Sequence, residues 1–156
     1  MPPLPIEVVS YKSRLERAIK LAEPIDDAEL QAHLARHICV LCSGFLEVAV
    51  VSVLSQYVSN KSAPQVATYV KASLSQFQNP KMSKILELVG KFDSDWRRDL
   101  TVLFEGELKD SVDSIVANRH AIAHGRQTTV TLQNLKSYYR NASTVIDYLA
   151  SHCEVN

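Results

Sequence analysis

The fold is decided by one apolar stretch, Ile38-Cys39-Val40-Leu41-Cys42-Ser43-Gly44-Phe45-Leu46-Glu47-Val48-Ala49-Val50. Its apolar residues cover nearly every side of a helix, so we expect this helix in the middle of a bundle or against a second subunit. The chain has only four glycines and no Asn-Gly or Asp-Gly hairpin signal. Because apolar residues also recur at helical spacing elsewhere, the sequence predicts an all-α bundle of about five to seven helices.

The helix that contains this stretch extends in both directions. Asp26 or Asp27 can cap its N-terminus, and we expect it to reach about Tyr57. Before it, a first helix is predicted over residues 6–22, and Pro24 ends it. The expected buried side of that first helix is marked by four residues, Val9, Leu15, Ile19 and Leu21.

Prolines divide the chain that follows the long helix. Residues 60–64 form a predicted loop, and Pro64 opens a third helix that reaches about Phe77. Asn79-Pro80 breaks the chain again, so residues 83–89 are expected to form a short helix. Residues 93–98 are rich in charge and are expected to be exposed as one helical turn.

Two further helices complete the predicted bundle. Residues 109–124 form the first, and Gly125 ends it where a left-handed residue commonly stops a helix. Residues 128–131 are expected to be extended, and Thr131 can cap the last helix. The apolar positions on these two helices are Val112, Ile115, Val116 and Ile122, and then Leu132, Leu135, Tyr138, Tyr139, Val145, Ile146 and Leu149.

Length and charge limit the function classes. The 156 residues predict one domain, residues 1–156, large enough to bury a core without disulfides or metal. The 17 basic and 17 acidic residues balance, which argues against tight nonspecific nucleic-acid binding but not against an enzyme that contacts a few nucleotides. Polar residues interrupt the apolar runs and the N-terminus resembles no leader, so we expect a cytoplasmic protein away from membranes.

Cysteine spacing gives no strong sign of a metal or redox site. Cys39 and Cys42 have C-x-x-C spacing, but they lie in the apolar helix with no second pair and no preceding strand. Zinc sites need further ligands, and thioredoxin-like sites need that strand. We therefore interpret both as small core residues.

Chemistry is concentrated near the end of the helix predicted at residues 109–124, in Asn118-Arg119-His120-Ala121-Ile122-Ala123-His124-Gly125. Arginine is a permanent forked cation that suits phosphate, and histidine gains or loses a proton near neutral pH. Together they indicate phosphodiester cleavage. Helix geometry places Arg119 and His124 roughly 140° apart around the axis and about 7.5 Å apart along it. One copy is therefore poorly suited to bind a single phosphate with both side chains. Two copies related by a two-fold axis could bring two arginines and two histidines together in one cleft.

This pattern resembles the HEPN superfamily, in which a small all-α domain carries arginine, a polar residue and then histidine at a helix end. Arg119, His120 and His124 fall on those three places, and Ala123-His124-Gly125 matches the common ending of the motif. The apolar helix with Ser43-Gly44-Phe45-Leu46-Glu47 and the capped final helix make most of the chain similar to the RiboL-PSP branch.

The resemblance implies a metal-independent endoribonuclease that needs no cofactor and cleaves RNA as a homodimer with a composite cleft. The RNA 2′-hydroxyl would attack the neighbouring phosphate and leave a 2′,3′-cyclic phosphate. Arg119 would hold the phosphate, His124 would be the general acid or base, and His120 would orient the phosphate or the partner's groups. Asn118 would add a hydrogen bond. Members often serve as toxins controlled by an antitoxin or regulatory protein, in phage defence or in RNA processing.

Two other functions stay open. Cations at a helix C-terminus are also favoured by the helix dipole alone, so the chain could be a noncatalytic helical module that binds a partner protein or a nucleotide. Alternatively, the pairs His33/His37 and His120/His124 both have the spacing of zinc ligands, with Cys153 or a carboxylate as further ligands.

Glu47 is assigned a supporting role. A charge in an otherwise apolar helix is expensive unless it is paired. We therefore expect Glu47 either to pair with an arginine, Arg119 included, or to face the dimer cleft.

Three arginines outside the motif are candidates for RNA contact. Arg126 follows the motif and could extend a basic rim. Arg97 and Arg98 follow Trp96, so the three could form a phosphate-binding and base-stacking patch. The alternative for that triplet is a surface turn with one anchored aromatic side chain.

Overall fold

The computed structural model describes residues 3–155, so the two ends of the expected 1–156 domain lie outside the described residues. Over that range it contains seven helices and no strand, which confirms the predicted all-α bundle. The helices are α1 Ile6–Ala22, α2 Ala28–Lys61, α3 Pro64–Leu74, α4 Met82–Phe92, α5 Ser94–Phe104, α6 Glu107–Ala123 and α7 Leu132–Val155.

Helix α2 is the central element of the bundle, because α1, α3, α6 and α7 all pack against it. Phe45 is fully buried there, and its ring lies between two aromatic rings from other helices. The ring centroids are 6.1 Å from Tyr11 of α1 and 5.8 Å from Tyr139 of α7. Each large apolar side chain buried in this way contributes about 1.5–3 kcal/mol. The prediction that the apolar stretch lies in the middle of the bundle is confirmed.

The length and composition of α2 would allow it to cross a membrane, contrary to the expectation from its polar interruptions. In this structure 56% of its most apolar window is buried inside the bundle. The core helix of a globular domain meets the same two criteria, so the burial explains the apolar composition of α2.

The start of α2 is fixed by Asp27, the second of the two predicted caps. Its side chain accepts a hydrogen bond from the N–H of Leu30 at 3.0 Å. Gln31 then reaches back, and its Nε2 donates to the carbonyl oxygens of Ala22 at 3.2 Å and Ile25 at 3.3 Å. These bonds use the carbonyl group of the last residue of α1 and one in the segment between α1 and α2.

The buried face of α1 differs from the prediction. Val9 and Leu21 are 44% and 65% exposed, so their assignment to the core was wrong, whereas Leu15 and Ile19 are buried as predicted. Val8 and Ala22 complete the buried face. Positions 8, 15, 19 and 22 follow one helical stripe, and positions 9 and 21 lie about 100° to either side of it.

Close approach of α1 to α2 explains the glycine inside the apolar helix. A Cβ atom at Gly44 would collide with the hydroxyl of Tyr11 and would lie 3.3 Å from its Cζ. The Tyr11 ring also carries the guanidinium of Arg14, which lies 4.8 Å from the ring centroid. Glycine at position 44 therefore lets the tyrosine lie against the α2 backbone.

Helix α5 replaces the exposed turn predicted for residues 93–98. Asp93 caps it by accepting hydrogen bonds from the N–H groups of Asp95 at 2.7 Å and Trp96 at 3.2 Å. Trp96 is only 4% exposed, and its ring lies edge-on to Tyr57 with centroids 5.0 Å apart. The prediction failed because Trp96, Leu100 and Phe104 form a buried stripe at four-residue spacing that outweighs the local charge.

The other helix ends differ by a few residues from the predictions. Helix α2 continues to Lys61, α3 ends at Leu74, and α4 covers Met82–Phe92. Thr131 caps α7 as predicted, since its Oγ1 accepts a hydrogen bond from the N–H of Asn134 at 3.1 Å.

All three cysteines are free and buried, which confirms the core interpretation of Cys39 and Cys42. Burial raises the pKa of Cys39 to about 11 and that of Cys153 to about 12. Burial, and then the neighbouring Cys39, raise the pKa of Cys42 as well. Such thiols are poor nucleophiles at neutral pH. The Cys39 thiol also donates to the carbonyl oxygen of Ile115 at 3.6 Å, a contact between α2 and α6.

Candidate active site

The end of α6 has the geometry that its sequence predicts. The chain is helical through Ala123, and Gly125 follows with φ +67°. The N–H of Gly125 donates to Ile122 O at 3.1 Å, and the N–H of Arg126 donates to Ala121 O at 2.9 Å. This pair of bonds is the Schellman arrangement, which requires a left-handed residue. The turn therefore fixes where the chain leaves the helix, immediately after the motif.

The two motif histidines lie side by side on the exposed surface of α6. His120 and His124 are both exposed, and their ring centroids are 4.3 Å apart with the planes tilted by 59°. One helical turn separates them, so their rings meet over the last turn of the helix. The two imidazoles can therefore contact one ligand at the surface, each with ring nitrogens that donate or accept hydrogen bonds.

Arg119 occupies a different place, in a polar cavity of about 310 Å³. Ser43 and Glu47 of α2 line this cavity, together with Gln78 and Asn79 from the segment between α3 and α4. Asn79 has a left-handed backbone with φ +54°, a conformation that asparagine tolerates better than most residues. Three chain segments, α2, the segment between α3 and α4, and α6, therefore line this cavity.

Glu47 and Arg119 share this cavity without forming an ion pair. No nitrogen–oxygen distance of 4.0 Å or less joins Glu47 to a cation among the described residues, and the same holds for Arg119 and the described carboxylates. The expectation that Glu47 pairs with an arginine is therefore not met, and the alternative, that Glu47 faces a dimer cleft, stays a prediction. A guanidinium without a bound carboxylate retains its donors for another anion, such as phosphate.

Arg119 and His124 lie on separate sides of α6, as the helix geometry predicts. Arg119 lines the cavity against α2, and neither motif histidine lines that cavity. A single chain therefore does not gather the arginine and the histidines around one small ligand.

Asn118 anchors the segment that follows α6. Its Nδ2 donates to Ser114 O at 2.8 Å, and its Oδ1 accepts a hydrogen bond from the hydroxyl of Thr128. The Thr128 hydroxyl oxygen also accepts from the N–H of Val130 at 3.3 Å. With both polar atoms of its amide used inside the chain, Asn118 acts on the site by holding the backbone beside it.

Arg97 and Arg98 lie on α5, and none of the hydrogen bonds or ion pairs of their side chains described here joins them to the motif. Arg98 pairs with Asp95 at 2.9 Å and Asp99 at 3.5 Å on the surface of α5. The stem of Arg97 covers Gly90, where a Cβ atom would lie 2.7 Å from Arg97 Cδ. RNA contact by these two arginines stays a prediction. The base-stacking role considered for Trp96 is wrong, because a buried indole has no free face.

Arg126 is exposed beside the motif, and it lines a concave surface of about 390 Å³ together with Arg36 of α2. Sequence reasoning missed Arg36, Ser43, Gln78 and Asn79. The four-residue spacing of Ser43 and Glu47 places both side chains on one face of α2, so the sequence could have indicated that they line the Arg119 cavity together. Nothing local indicates the other three residues, since only tertiary packing brings them to α6.

The zinc alternative lacks a set of ligands. No group of three or more histidine, cysteine, aspartate or glutamate side chains converges on one point within residues 3–155. His33 and His37 are exposed on α2, and the nearest polar contact of His33 is Arg36, with 2.6 Å between its Nδ1 and Arg36 Nη2. Cys153 is buried in α7.

Comparison with known proteins gives one positive result. A family model described as RiboL-PSP-HEPN matches residues 7–155, nearly the whole chain. No curated protein and no solved structure matches the chain.

Proposed function

The chain belongs to the RiboL-PSP-HEPN family, and from this premise we propose that it is a metal-independent endoribonuclease with a composite site at a homodimer interface. The observation that carries the proposal is the end of α6. It presents two adjacent exposed imidazoles, and on another side of the same helix a guanidinium with no ion-pair partner within 4.0 Å among the described residues.

The proposed reaction uses the RNA itself as nucleophile. The 2′-hydroxyl oxygen bonds to the adjacent phosphorus, its proton passes to a base, and the bond from phosphorus to the leaving 5′-oxygen breaks. An acid returns a proton to that oxygen, so the products are a 2′,3′-cyclic phosphate and a free 5′-hydroxyl. His124 transfers a proton in this scheme, which is typically worth about 10²–10⁴ in rate.

The remaining motif residues serve the phosphate. Arg119 binds its oxygens and offsets the charge that develops in the transition state. His120 orients the phosphate from the adjacent position on the helix. Glu47 acts through Arg119. The two residues line one cavity, and the negative charge of the Glu47 carboxylate stabilises the Arg119 guanidinium in its position there. Asn118 keeps the neighbouring backbone in place.

A dimer is part of the proposal because one chain separates Arg119 from His124. A two-fold axis beside α6 would bring Arg119 of one protomer toward His124 of the other and generate two equivalent sites. The exposure of both histidines in the isolated chain supports an assembly in which they meet groups of a second copy.

The experiment is cleavage of one defined RNA in excess EDTA by the wild type, Arg119→Ala and His124→Ala. We expect both variants to lose at least about a hundredfold in rate while circular dichroism and the oligomeric mass stay unchanged. His37→Ala is the matched control, since this histidine is equally exposed on α2. Product ends should be cyclic phosphates, and 2′-deoxy substitution at the cut should block the reaction. Normal cleavage by His124→Ala would reject the assignment.

A second candidate function is a noncatalytic module that binds a partner protein or a nucleotide through the same surface. The zero formal net charge favours it, because RNA-binding proteins usually carry a basic excess. Purified wild type that never cuts RNA but binds a protein partner in pull-down would decide for this function.

We place the activity in the cytoplasm, as a toxin, a phage-defence effector or an RNA-processing enzyme, with an antitoxin or regulatory protein as its controlling partner. Family membership supports this range of roles. Expression of wild type and His124→Ala in growing cells tests the toxin role, since only the wild type should arrest growth.

A further inference from the structure

A second concave surface, of about 390 Å³, lies beside the motif between α2 and the segment that follows α6. We call it the two-arginine cleft. Its lining residues are Arg36, Ile122, Gly125, Arg126, Gln127 and Thr128. Two guanidinium side chains from distant parts of the sequence therefore line one small concavity, directly after the Schellman turn.

The charge of this cleft is not balanced locally. No acidic residue lines it, and no described carboxylate lies within 4.0 Å of Arg36 or Arg126. Among the described residues, Arg36 has a ring nitrogen of His33 as its hydrogen-bond partner, and a nitrogen that accepts a hydrogen bond from a guanidinium does not neutralise its charge. Two cations on one concavity without a local carboxylate favour the binding of an anion there.

The backbone adds donors to the two cations. The N–H groups of Gly125 and Arg126 are used inside the Schellman turn. The next two, of Gln127 and Thr128, have no hydrogen-bond acceptor among the described residues. Backbone N–H groups without an internal acceptor can donate to a phosphate oxygen. Arginine side chains and backbone amides in one place are the donor set that binds a phosphate group.

We infer that the two-arginine cleft binds a backbone phosphate of the RNA next to the scissile one. This inference rests on the proposed nuclease function, because the cleft lies beside His124 and an RNA bound at His124 would extend into it. Ile122 is the one apolar lining residue and no aromatic side chain lines the cleft, so it offers no platform for a base. The contact is therefore independent of sequence, and it sets a minimum length for the substrate.

The experiment compares substrates with one phosphate and with several. A dinucleotide has only the scissile phosphate, whereas an octanucleotide also has flanking ones. The variants are Arg36→Gln, Arg126→Gln and the double substitution, and Arg17→Gln is the control because Arg17 is exposed on α1 and lines none of the cavities described. We expect the double variant to lose about tenfold or more in kcat/KM on the octanucleotide, through KM, and to lose much less on the dinucleotide, whereas Arg17→Gln should leave both values unchanged.

Binding separates this inference from the nuclease proposal. A 2′-O-methyl octanucleotide cannot be cut, and its affinity is measured by fluorescence anisotropy over a range of salt concentrations. Loss of both arginines should weaken binding and lower the salt slope by about 0.7 for each lost phosphate contact. If the wild type cuts no RNA but the double variant binds this RNA more weakly, the nuclease proposal fails and the phosphate site stands. If the double variant binds and cleaves the octanucleotide like the wild type, the inference is overturned.

A control with inorganic phosphate identifies the source of the anion. Binding of free phosphate that the double substitution abolishes, combined with unchanged affinity for the octanucleotide, would overturn the assignment to RNA. Loss of affinity for both ligands supports it, because the RNA then uses the same donors as the free anion.

Discussion

The hydroxyl of Thr128 donates a hydrogen bond to Oδ1 of Asn118, ten residues earlier in the chain. Asn118 directly precedes the motif arginine, and Thr128 lines the two-arginine cleft. This one hydrogen bond therefore joins the last part of α6 to the backbone that leaves it. It links the position of the proposed catalytic groups to the shape of the cleft beside them.

Thr128→Val tests the role of this hydrogen bond, since valine keeps the shape of threonine and removes its hydroxyl. Asn118 then loses a donor and the N–H of Val130 loses its acceptor, at a cost of about 1 kcal/mol in stability. We expect RNA cleavage to fall by about tenfold because the segment beside the motif shifts. Thr128→Ser retains the hydroxyl and should retain activity. Cleavage by the valine variant at the wild-type rate would show that this hydrogen bond does not position the motif residues.

Gly125→Ala should destabilise the protein through its backbone alone. Gly125 has φ +67°, and a Cβ atom there would meet no heavy atom within 4 Å. The left-handed conformation costs a residue with a Cβ about 1–2 kcal/mol, so urea unfolding should report a loss of that size. Gly125→Asn is the comparison, because asparagine enters this conformation more readily. Equal stability of the alanine variant and the wild type would contradict the Schellman turn.

Glu47→Gln separates a structural ion pair from a group that acts through Arg119. Breaking a buried ion pair costs about 3–5 kcal/mol, whereas Glu47 has no ion-pair partner within 4.0 Å among the described residues. We expect the unfolding free energy to change by less than about 1 kcal/mol, while kcat for RNA falls and KM stays near the wild-type value. A large loss of stability would show that a pair forms in solution.

Gly44→Ala and Tyr11→Phe should be coupled. The alanine methyl would collide with the Tyr11 hydroxyl, and the half-buried ring must move, which we expect to cost about 1 kcal/mol or more. Tyr11→Phe removes the oxygen and leaves Cζ at 3.3 Å as the nearest ring atom. In a double-mutant cycle measured by urea unfolding, the alanine substitution should therefore cost less in the phenylalanine background. Additive costs would show that the two helices do not approach as described.

Stability should fall at alkaline pH because of the buried thiols. The ordinary pKa of a cysteine is 9.0, and burial raises the pKa of Cys39 to about 11 and that of Cys153 to about 12. Below pH 9 both the folded and the unfolded chain hold these protons, so the unfolding free energy does not depend on them. Between pH 9 and about 12 the unfolded chain releases protons that the folded chain keeps, and stability falls as pH rises.

The measurement is urea unfolding at about pH 8 and about pH 11 under reducing conditions. Lysine and tyrosine also titrate in this range, so each variant is compared with the wild type at both values. Cys39→Ala should lose less stability than the wild type between the two. An identical loss would mean that Cys39 ionises as readily in the folded protein as in the unfolded one.

The predictions from sequence were most accurate for helix ends, which depend on residues close together in the chain. Asp27, Gly125 and Thr131 act on backbone groups within a few residues, and each has the capping role that its residue type predicts. The prediction at Trp96 was wrong because it weighed only the acidic and basic residues next to the tryptophan. The apolar stripe that buries it includes Leu100 and Phe104, which lie one and two turns further along the helix.

The sequence by itself determined an all-α bundle around residues 38–50, the end of the motif helix, and the separation of Arg119 from His124 around that helix. These features follow from helical periodicity, capping chemistry and the rotation of 100° per residue, which act over one or two turns. Only the tertiary structure decided that Glu47 and Ser43 share a cavity with Arg119, and that Arg36 joins Arg126 beside the motif. The packing of α2 against α6 places those residues together, and it depends on the shape of the whole core.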